Sequence, residues 1–529
     1  MSYRYGLISV LLIISWLLIS SAVTLSAAED ESARIMALGG SVVEGIIPDF
    51  YTDFRNNPAV LAGLDRTSIL YRMVDRDIVD LPFFIFDYDW NLDNPYMYHS
   101  SPINAADIFW GRGPGSWKIA LSTAWELSRS ELNRPDIEYF NDEYSIYSRE
   151  NIKDSWSLDL TVARRAGSNL LLGMRVGGYS FYQKNEERGF RCWEYHRFED
   201  AEELLRKQYA RNDGSGLIAR RLSAYIEFGL RTEKENGEFS ELSFRVSRAS
   251  NTYYENGWYI RLDSRYDEFS GTTYLTDQQY NSSNLENFAE GNSWIFGFSG
   301  RHRNDSGYIV AASATYERCL HDGARLKSME DIDYNYVAED LKELRESIDL
   351  RGEGSSDRMS GALKIGKKLI LRRDIDLYLG IAGFGSHTGW NYDPVTEYKL
   401  RLRKDHDYYS ERSSDRTEFS MKLNSAAVYL PVSLEFKPAS FFTYFASATP
   451  FLHVEVTTEK LGLPDSGIFN NIDQICSSEI TTRNIWTDYR ITTGFRLNYR
   501  DKIHVDIFTG SSLFIENLSY LDINIGYNF

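Results

Sequence analysis

The sequence contains few cysteines and a marked excess of acidic residues. Only three cysteines occur among its 529 residues, Cys192, Cys319 and Cys476, and their wide spacing matches no zinc-binding pattern. The spacing is compatible with one disulfide and one remaining thiol, or with three free thiols. A formal net charge of −18 argues against nucleic acid as a partner, because nucleic-acid phosphates are bound by basic patches.

Motifs of the common enzyme classes are also missing. The chain has no Walker loop, no Gly-x-Ser-x-Gly, no His-Glu-x-x-His and no Cys-x-x-Cys. His504 and Asp506 lie on one face of a predicted strand and are the best general acid/base candidates, with ordinary lumen polarity as the alternative. Asp405-His406-Asp407 could bind a metal, and the acidic run Glu330-Asp331-Ile332-Asp333 could bind calcium weakly; the alternative for both is solvated charge. We therefore predict no enzyme and no cofactor.

Long apolar runs are confined to the amino terminus. Arg4 precedes an apolar run from Leu7 to Leu18, and Ser26-Ala27-Ala28 provides small residues for cleavage after Ala28. Residues 1–28 are therefore predicted to be a cleaved secretory signal, with an uncleaved anchor as the alternative. No later run approaches the roughly 18 apolar residues of a transmembrane helix.

The last nine residues alternate between apolar and polar side chains without interruption. This period of two predicts a strand with one buried face, which carries Leu521, Ile523, Ile525, Tyr527 and Phe529. The ending resembles the closing strand of bacterial outer-membrane β-barrels, which the barrel-assembly machinery reads as a sorting signal. The alternative interpretation is an ordinary edge strand of a soluble sheet.

Similar alternation recurs along the rest of the chain. The predicted strands, of about 10 to 16 residues, are roughly twice the usual soluble length and carry charges on one face, which favours a lipid-facing belt around a polar lumen. Counting between short turns predicts 14 strands from Ser116 to Phe529. Two earlier runs, Thr67–Val74 and Phe83–Trp90, would raise the count to 16. We predict an all-β, transmembrane antiparallel β-barrel in outer-membrane lipid, with even strand number.

Long polar segments alternate with short turns as the connections between successive predicted strands. They cover residues 126–154, 185–216, 250–291, 320–356, 389–416 and 457–484. Because short turns and long loops segregate to opposite sides of outer-membrane barrels, we predict these segments to be extracellular loops. Apolar spacing further predicts one helix within Glu330–Leu350 and another between Phe198 and Tyr209, either as lids over the barrel or as surface helices.

Two short motifs follow the predicted signal. The first includes Arg34, Leu38, Gly39 and Gly40, and the second, seventeen residues after Gly40, begins with Asn57-Pro58-Ala59. Paired glycines permit close backbone approach, and Asn-Pro-Ala favours a tight turn. Residues 33–61 resemble the opening segment of FadL-like outer-membrane proteins, including the PorV-type branch. The chain departs from that family at residues 46–51, where its acidic pair and aromatic are replaced, and at Val60, where glycine is commoner.

The resemblance implies a domain order and a function. Residues 29–66 would form a plug, or hatch, within a barrel of residues 67–529. The protein would then carry hydrophobic or amphipathic small molecules across the bacterial outer membrane. A PorV-like scaffold that binds secreted or surface proteins through its extracellular loops is the alternative. The residues themselves further predict that lumen arginines such as Arg175, Arg231 and Arg496 pair with interior carboxylates or hold the plug.

Overall fold

Strands dominate the described part of the chain. A computed structural model describes residues 33–38, 42–64, 67–75, 103–111, 117–138, 143–199, 202–234, 236–269, 272–335, 340–404, 407–416, 418–462, 478–500, 502–511 and 518–528. Within these ranges, no helix is long and apolar enough to cross a membrane. The helices are α1 (Ala33–Ala37), α2 (Phe50–Asn56) and a 3-10 helix (Pro58–Gly63).

The strand segments are numbered in chain order. They are β1 (Ser68–Asp75), β2 (Ile103–Trp110), β3 (Lys118–Glu138), β4 (Glu143–Arg165), β5 (Leu170–Glu199), β6 (Glu202–Glu233), β7 (Phe239–Phe269), β8 (Thr272–Arg303), β9 (Tyr308–Asn335), β10 (Asp340–Arg372), β11 (Ile375–Lys404), β12 (Asp407–Arg416), β13 (Glu418–Tyr429), β14 (Val432–Ala439), β15 (Phe442–Gly462), β16 (Ser478–Tyr499), β17 (Ile503–Ser511) and β18 (Leu518–Asn528).

These segments form a closed antiparallel barrel of 16 strands. The ring closes because β1 pairs with both β2 and β18, while β9 pairs with β10. Segments β12, β13 and β14 are parts of one strand, since β11 pairs with all three of them. Pro431, which has no N–H to donate to the ladder, lies at the break between β13 and β14.

The all-β barrel prediction is confirmed, but the preferred count of 14 strands is wrong. The additional hairpin begins with β1, as predicted for Thr67–Val74. Its second strand in the structure is Ile103–Trp110, whereas the predicted Phe83–Trp90 lies outside the described residues. The sequence INAADIFW of β2 alternates poorly because Asp107 faces the interior and Ala105 and Ala106 stand at half-buried positions.

The outer surface carries an apolar belt. On β6, the large side chains of Leu222 and Phe228 are 60% and 50% exposed, whereas Glu227 between them is 4% exposed. Aromatic side chains lie near the ends of several strands on the short-turn side, including the exposed Trp110, Trp117 and Tyr499. An outward apolar band bordered by aromatic residues is the surface of a barrel that sits in lipid.

Short turns join β4 to β5, β8 to β9 and β10 to β11, but the long polar segments are not loops. Most of their residues extend the neighbouring strands into long hairpins; β6, for example, starts at Glu202, twenty residues before Leu222. At about 3.3 Å per residue, that part of the strand is about 65 Å long. Outside the belt neither face needs to be apolar, so the alternation that identifies a strand disappears while the backbone ladder continues. We call these parts the projecting hairpins.

Both predicted loop helices are also wrong. Most of Glu330–Leu350 belongs to β9 and β10, which pair continuously from Asp340 opposite Asn335 to Lys367 opposite Tyr308. Between Phe198 and Tyr209, most residues belong to β5 and β6. Two strands that already pair satisfy each other's backbone hydrogen bonds, and this tertiary pairing overrides a weak helical spacing of apolar residues.

Candidate functional site

The amino-terminal segment, residues 33–38 and 42–64, lies against the inner face of the barrel wall. We call it the inner segment. Ile35 and Ala37 of the first helix, α1, and Leu38 directly after it are completely buried against wall residues that include Phe445 and Phe508. The Thr492 and Ser433 hydroxyls donate to the carbonyl oxygens of Ala37 and Leu38, at 2.9 and 2.5 Å. Those bonds satisfy backbone acceptors at the end of a helix that has few internal partners.

Arg34 links α1 to the wall and to the rest of the inner segment. Its guanidinium is 2.8 Å from the Glu435 carboxylate on β14 and 3.5 Å from the Asp49 carboxylate. It also donates to the Pro48 carbonyl oxygen at 2.9 Å. Arg34 is 8% exposed, so its charge depends on these acceptors. The predicted motif arginine is thus placed in a buried ion pair; its neighbours Gly39 and Gly40 lie outside the described residues.

A tight turn follows at residues 44–47. Gly45 adopts a φ of 77°, a left-handed conformation that favours glycine. Ile46, at the tip of this turn, lies over Gly366 and Gly380, which are directly opposite each other on β10 and β11. A Cβ added at Gly366 would be 1.8 Å from the Ile46 side chain, so the close approach requires glycine there. Lys364 donates to the Glu44 carbonyl oxygen at 3.1 Å.

Helix α2 carries charges on its wall-facing side. Asp49 caps it by accepting a hydrogen bond from the Thr52 amide at 3.1 Å. Asp53 pairs with Arg301 of β8, and Arg55 pairs with Asp107 of β2 at 2.5 Å. Asp53 is 6% exposed, and burial raises the pKa of its carboxyl to about 6 despite the attraction of Arg301.

Arg175 of β5 binds the carboxyl end of α2. Its guanidinium donates to the carbonyl oxygens of Phe54 and Arg55, and lies 3.1 Å from Glu227. The guanidinium carbon is also 4.7 Å from the centre of the Phe54 ring. Cations are favourable near the carbonyl end of a helix. The prediction that Arg175 pairs with an interior carboxylate is confirmed, as it is for Arg231 with Glu241 and for Arg496 with Asp506.

The Asn57-Pro58-Ala59 motif docks on a second glycine pair. The Asn57 side chain accepts from the Ala59 amide at 2.9 Å and donates to two wall carbonyl oxygens, each at 3.2 Å. Gly173 and Gly229 lie directly opposite each other on β5 and β6 beneath this turn. A Cβ at Gly229 would be 2.0 Å from Asn57 Oδ1, and one at Gly173 would be 2.3 Å from the Pro58 carbonyl carbon. Neither glycine pair was singled out in the sequence, although isolated strand glycines often mark close backbone approach.

The closing strand β18 lies beside β17 and β1. Ile525 and Tyr527 are 43% and 38% exposed on the outer face, whereas Asn524 is 1% exposed on the inner face. The alternation therefore separates lipid-side from lumen-side residues. Ile523 is half-buried, and the side chain of Leu521 and the whole of Phe529 lie outside the described residues.

The two acid/base candidates are not arranged as a pair. Both oxygens of Asp506 accept from Arg496, at 2.5 and 2.7 Å. The His504 ring instead lies over Gly526 and 6.0 Å from the Tyr51 ring centre. Across the described ranges there is no cluster of three metal-ligating side chains. Cys192 and Cys319 are free thiols within β5 and β9; Cys476, Asp405 and His406 lie outside those ranges.

One cavity beside the inner segment is polar. It has a volume of about 410 Å³ and is lined by charged residues that include Arg34, Glu435, Lys437 and Arg496. A second cavity of about 80 Å³ lies beside Gly45 and Asp53. Neither has the predominantly apolar lining of a pocket for a purely hydrophobic ligand.

Comparison with known proteins adds little to this geometry. No family model and no curated protein matches the sequence. A FadL homologue from Pseudomonas aeruginosa is 10% identical over 94% of this chain and 98% of its own, with a TM-score of 0.29. A mutant ferric enterobactin receptor, PfeA, from the same organism is 8% identical over 88% and 81%, with a TM-score of 0.25. The ferric yersiniabactin receptor FyuA from Yersinia pestis is 8% identical over 88% and 80%, with a TM-score of 0.20. Similarities at these TM-scores carry no argument about function.

Proposed function

We propose that the protein is an outer-membrane transport barrel whose inner segment is a displaceable plug. The observation that carries the proposal is the way in which the segment is attached. Beside its apolar contacts, it docks through ion pairs and hydrogen bonds to several separate strands, β14, β2, β8 and β5. Buried ion pairs contribute little net stability compared with apolar packing, so they suit a contact that must be exchanged rather than one that must only hold.

The cargo that fits this interior is a small amphipathic molecule rather than a wholly apolar one. The space beside the inner segment is lined by Arg34, Glu435, Lys437 and Arg496. A ligand with a polar group can replace the contacts that the segment loses on moving, which a pure hydrocarbon cannot do. The apolar belt supports a location in outer-membrane lipid, and the predicted signal peptide agrees with export.

Planar-bilayer recordings on the purified barrel test the plug. Deletion of residues 33–64 should raise single-channel conductance and the flux of small solutes, because the inner segment lies against the lumen side of the wall and occupies part of the passage. A matched control deletes residues 196–206 at the tip of the β5–β6 hairpin and leaves the inner segment intact; its conductance should equal that of the full chain. Equal conductance in all three proteins would refute a plug that governs passage.

A protein-binding scaffold is the second candidate, and the projecting hairpins are the observation that favours it. The β9–β10 hairpin alone pairs from Asp340 opposite Asn335 down to the membrane belt. Such a surface is larger than a small solute needs. Trimming residues 320–356 should abolish retention of a surface partner if the protein is a scaffold. A scaffold would also show no solute flux, even after removal of the inner segment.

A further inference from the structure

The apolar belt ends at an arginine on each of two neighbouring strands. On β6 the outward side chains are apolar from Leu230 to Leu222, and the next outward residue is Arg220. On β7 they are apolar from Leu242 to Val246, and the next outward residue is Arg248. The two strands pair without a register shift, so the alternation of faces is unbroken and both arginines are exposed on the outer surface. They lie at the end of the belt away from the short turns, which is the predicted extracellular side.

Each of these arginines lies over an aromatic ring of an adjoining strand. The guanidinium carbon of Arg248 is 5.7 Å from the ring centre of Trp294, directly opposite it on β8. The guanidinium carbon of Arg220 is 5.2 Å from the ring centre of Tyr182, directly opposite it on β5. Such contacts are made by the face of the guanidinium and fix its position. The N–H donors, which point outward in the guanidinium plane, stay available to another acceptor.

No acidic side chain stands next to either arginine on the outer face. The outward positions around Arg248, along β7 and directly across from it, are held by Val246, Ser250, Ala224 and Trp294. Those around Arg220, along β6 and directly across from it, are held by Ile218, Leu222, Tyr182 and Thr252. Within the described strands neither arginine has a carboxylate partner. Two unneutralised positive charges therefore lie side by side on a chain whose formal charge is −18.

The location of the two arginines determines which anion can reach them. The outward face at the limit of the belt meets lipid headgroups, whereas a solute in the lumen is separated from it by the wall. Arginine and lysine side chains at a membrane surface attract anionic lipid. The forked donors of a guanidinium also match the geometry of a phosphate group. Leu222, which is 60% exposed beside Arg220, offers an apolar contact for the acyl chains of the same lipid.

We propose that Arg220 and Arg248 bind the phosphate groups of phosphorylated lipid in the outer leaflet, and so hold that lipid against the β6–β7 face of the barrel. This inference rests on the proposed location in the outer membrane and not on transport, since a scaffold without solute flux binds the same lipid. Arg318, beyond Trp294 in the same row, is not part of the site because it lies 4.0 Å from Asp357.

Native mass spectrometry of the full barrel in a maltoside detergent, titrated with diphosphorylated lipid A, tests the site. We expect this lipid to bind more tightly than phosphatidylcholine, whose phosphate is neutralised by its own choline. Arg220→Gln and Arg248→Gln should each weaken binding about tenfold, the effect of losing a charge-assisted hydrogen bond. The double variant should bind diphosphorylated lipid A no better than phosphatidylcholine. Inorganic phosphate at the same concentration should not displace the lipid, because it lacks the acyl chains that contact the belt.

Arg129→Gln provides the matched control. Arg129 is likewise the first charged outward residue beyond the belt, on β3 after Leu127, and its side chain is 65% exposed. It differs in having a partner, since it lies 3.3 Å from the Glu150 carboxylate. Affinity for diphosphorylated lipid A should therefore be unchanged in this variant.

Three results would overturn the proposal. They are unchanged affinity in both Arg220→Gln and Arg248→Gln, equal weakening by Arg129→Gln, and displacement of the lipid by an equal concentration of inorganic phosphate. The last would indicate a site for free phosphate instead of lipid. Neither arginine substitution should alter the effect of deleting residues 33–64 on conductance, so failure of the lipid site and failure of the plug are separate results.

Discussion

The glycine beneath the Asn57 turn provides the sharpest test of how the inner segment docks. Gly229→Ala adds one methyl group to the inner face of β6. That methyl carbon would be 2.0 Å from Asn57 Oδ1 and 2.9 Å from the Ala59 amide nitrogen. Real Cβ atoms do not approach backbone this closely, and the wall is fixed by pairing on both sides. The turn must therefore move away from β6.

The cost of that movement follows from the contacts that it breaks. Asn57 loses two hydrogen bonds to the carbonyl oxygens of Leu230 and Leu242, and the Ala59 amide loses its internal bond to Asn57. At about 1 kcal/mol for each bond, docking of residues 57–62 should weaken by about 3 kcal/mol. Because about 1.4 kcal/mol corresponds to a factor of ten, the open state should be populated about a hundredfold more.

Hydrogen–deuterium exchange in detergent micelles measures this population directly. Amides of residues 60–64 should lose about a hundredfold of their protection in Gly229→Ala, while barrel amides keep theirs. Gly385→Ala is the matched control, since its methyl would lie 3.8 Å from the Ser425 carbonyl oxygen, an ordinary contact on the outer face. Unchanged protection in Gly229→Ala, or equal loss in the control, would refute docking through the glycine pair.

Three further predictions concern charge and lipid contact. Because burial raises the pKa of Asp53 from 3.8 to about 6, the docked carboxyl binds a proton more tightly than the undocked one. Protection of α2 amides should therefore increase as pH falls from about 7 to about 4, and Asp53→Asn should remove this dependence. Arg175→Met should lower the free energy of unfolding in urea by about 3–5 kcal/mol, whereas Arg129→Met, in an exposed pair, should change it by less than about 1 kcal/mol. Phe228→Arg, in the belt, should destabilise the barrel folded in lipid vesicles by about 2–4 kcal/mol. Phe190→Arg, on a projecting hairpin, should have almost no effect on this stability.

The barrel could be predicted from the sequence because lipid imposes a strict period of two. β6 shows this in Leu222 and Phe228 outside and Glu227 inside. The same rule explains the errors. β2 was missed because Asp107 faces Arg55 while Ala105 and Ala106 weaken the alternation. The projecting hairpins were read as loops because water lies on both of their faces, so nothing selects for alternation there.

Only one side of the docking contact, the motifs of the inner segment, could be predicted from the sequence. The other side depends on the register in which the wall strands pair. The motifs around Arg34 and Asn57 are visible as short local patterns, whereas a single glycine within a strand gives no indication of which segment packs on it. Pairing places Gly173 opposite Gly229 and Gly366 opposite Gly380, directly beneath Asn57 and Ile46. These two pairs lie on well-separated strands of the ring, so together they fix both the position and the rotation of the segment. A one-residue slip of β6 against β5 would remove one of these contacts without changing a single residue. The docking site of the inner segment is therefore a relation between residues that are distant in sequence, which a search for local sequence patterns does not detect.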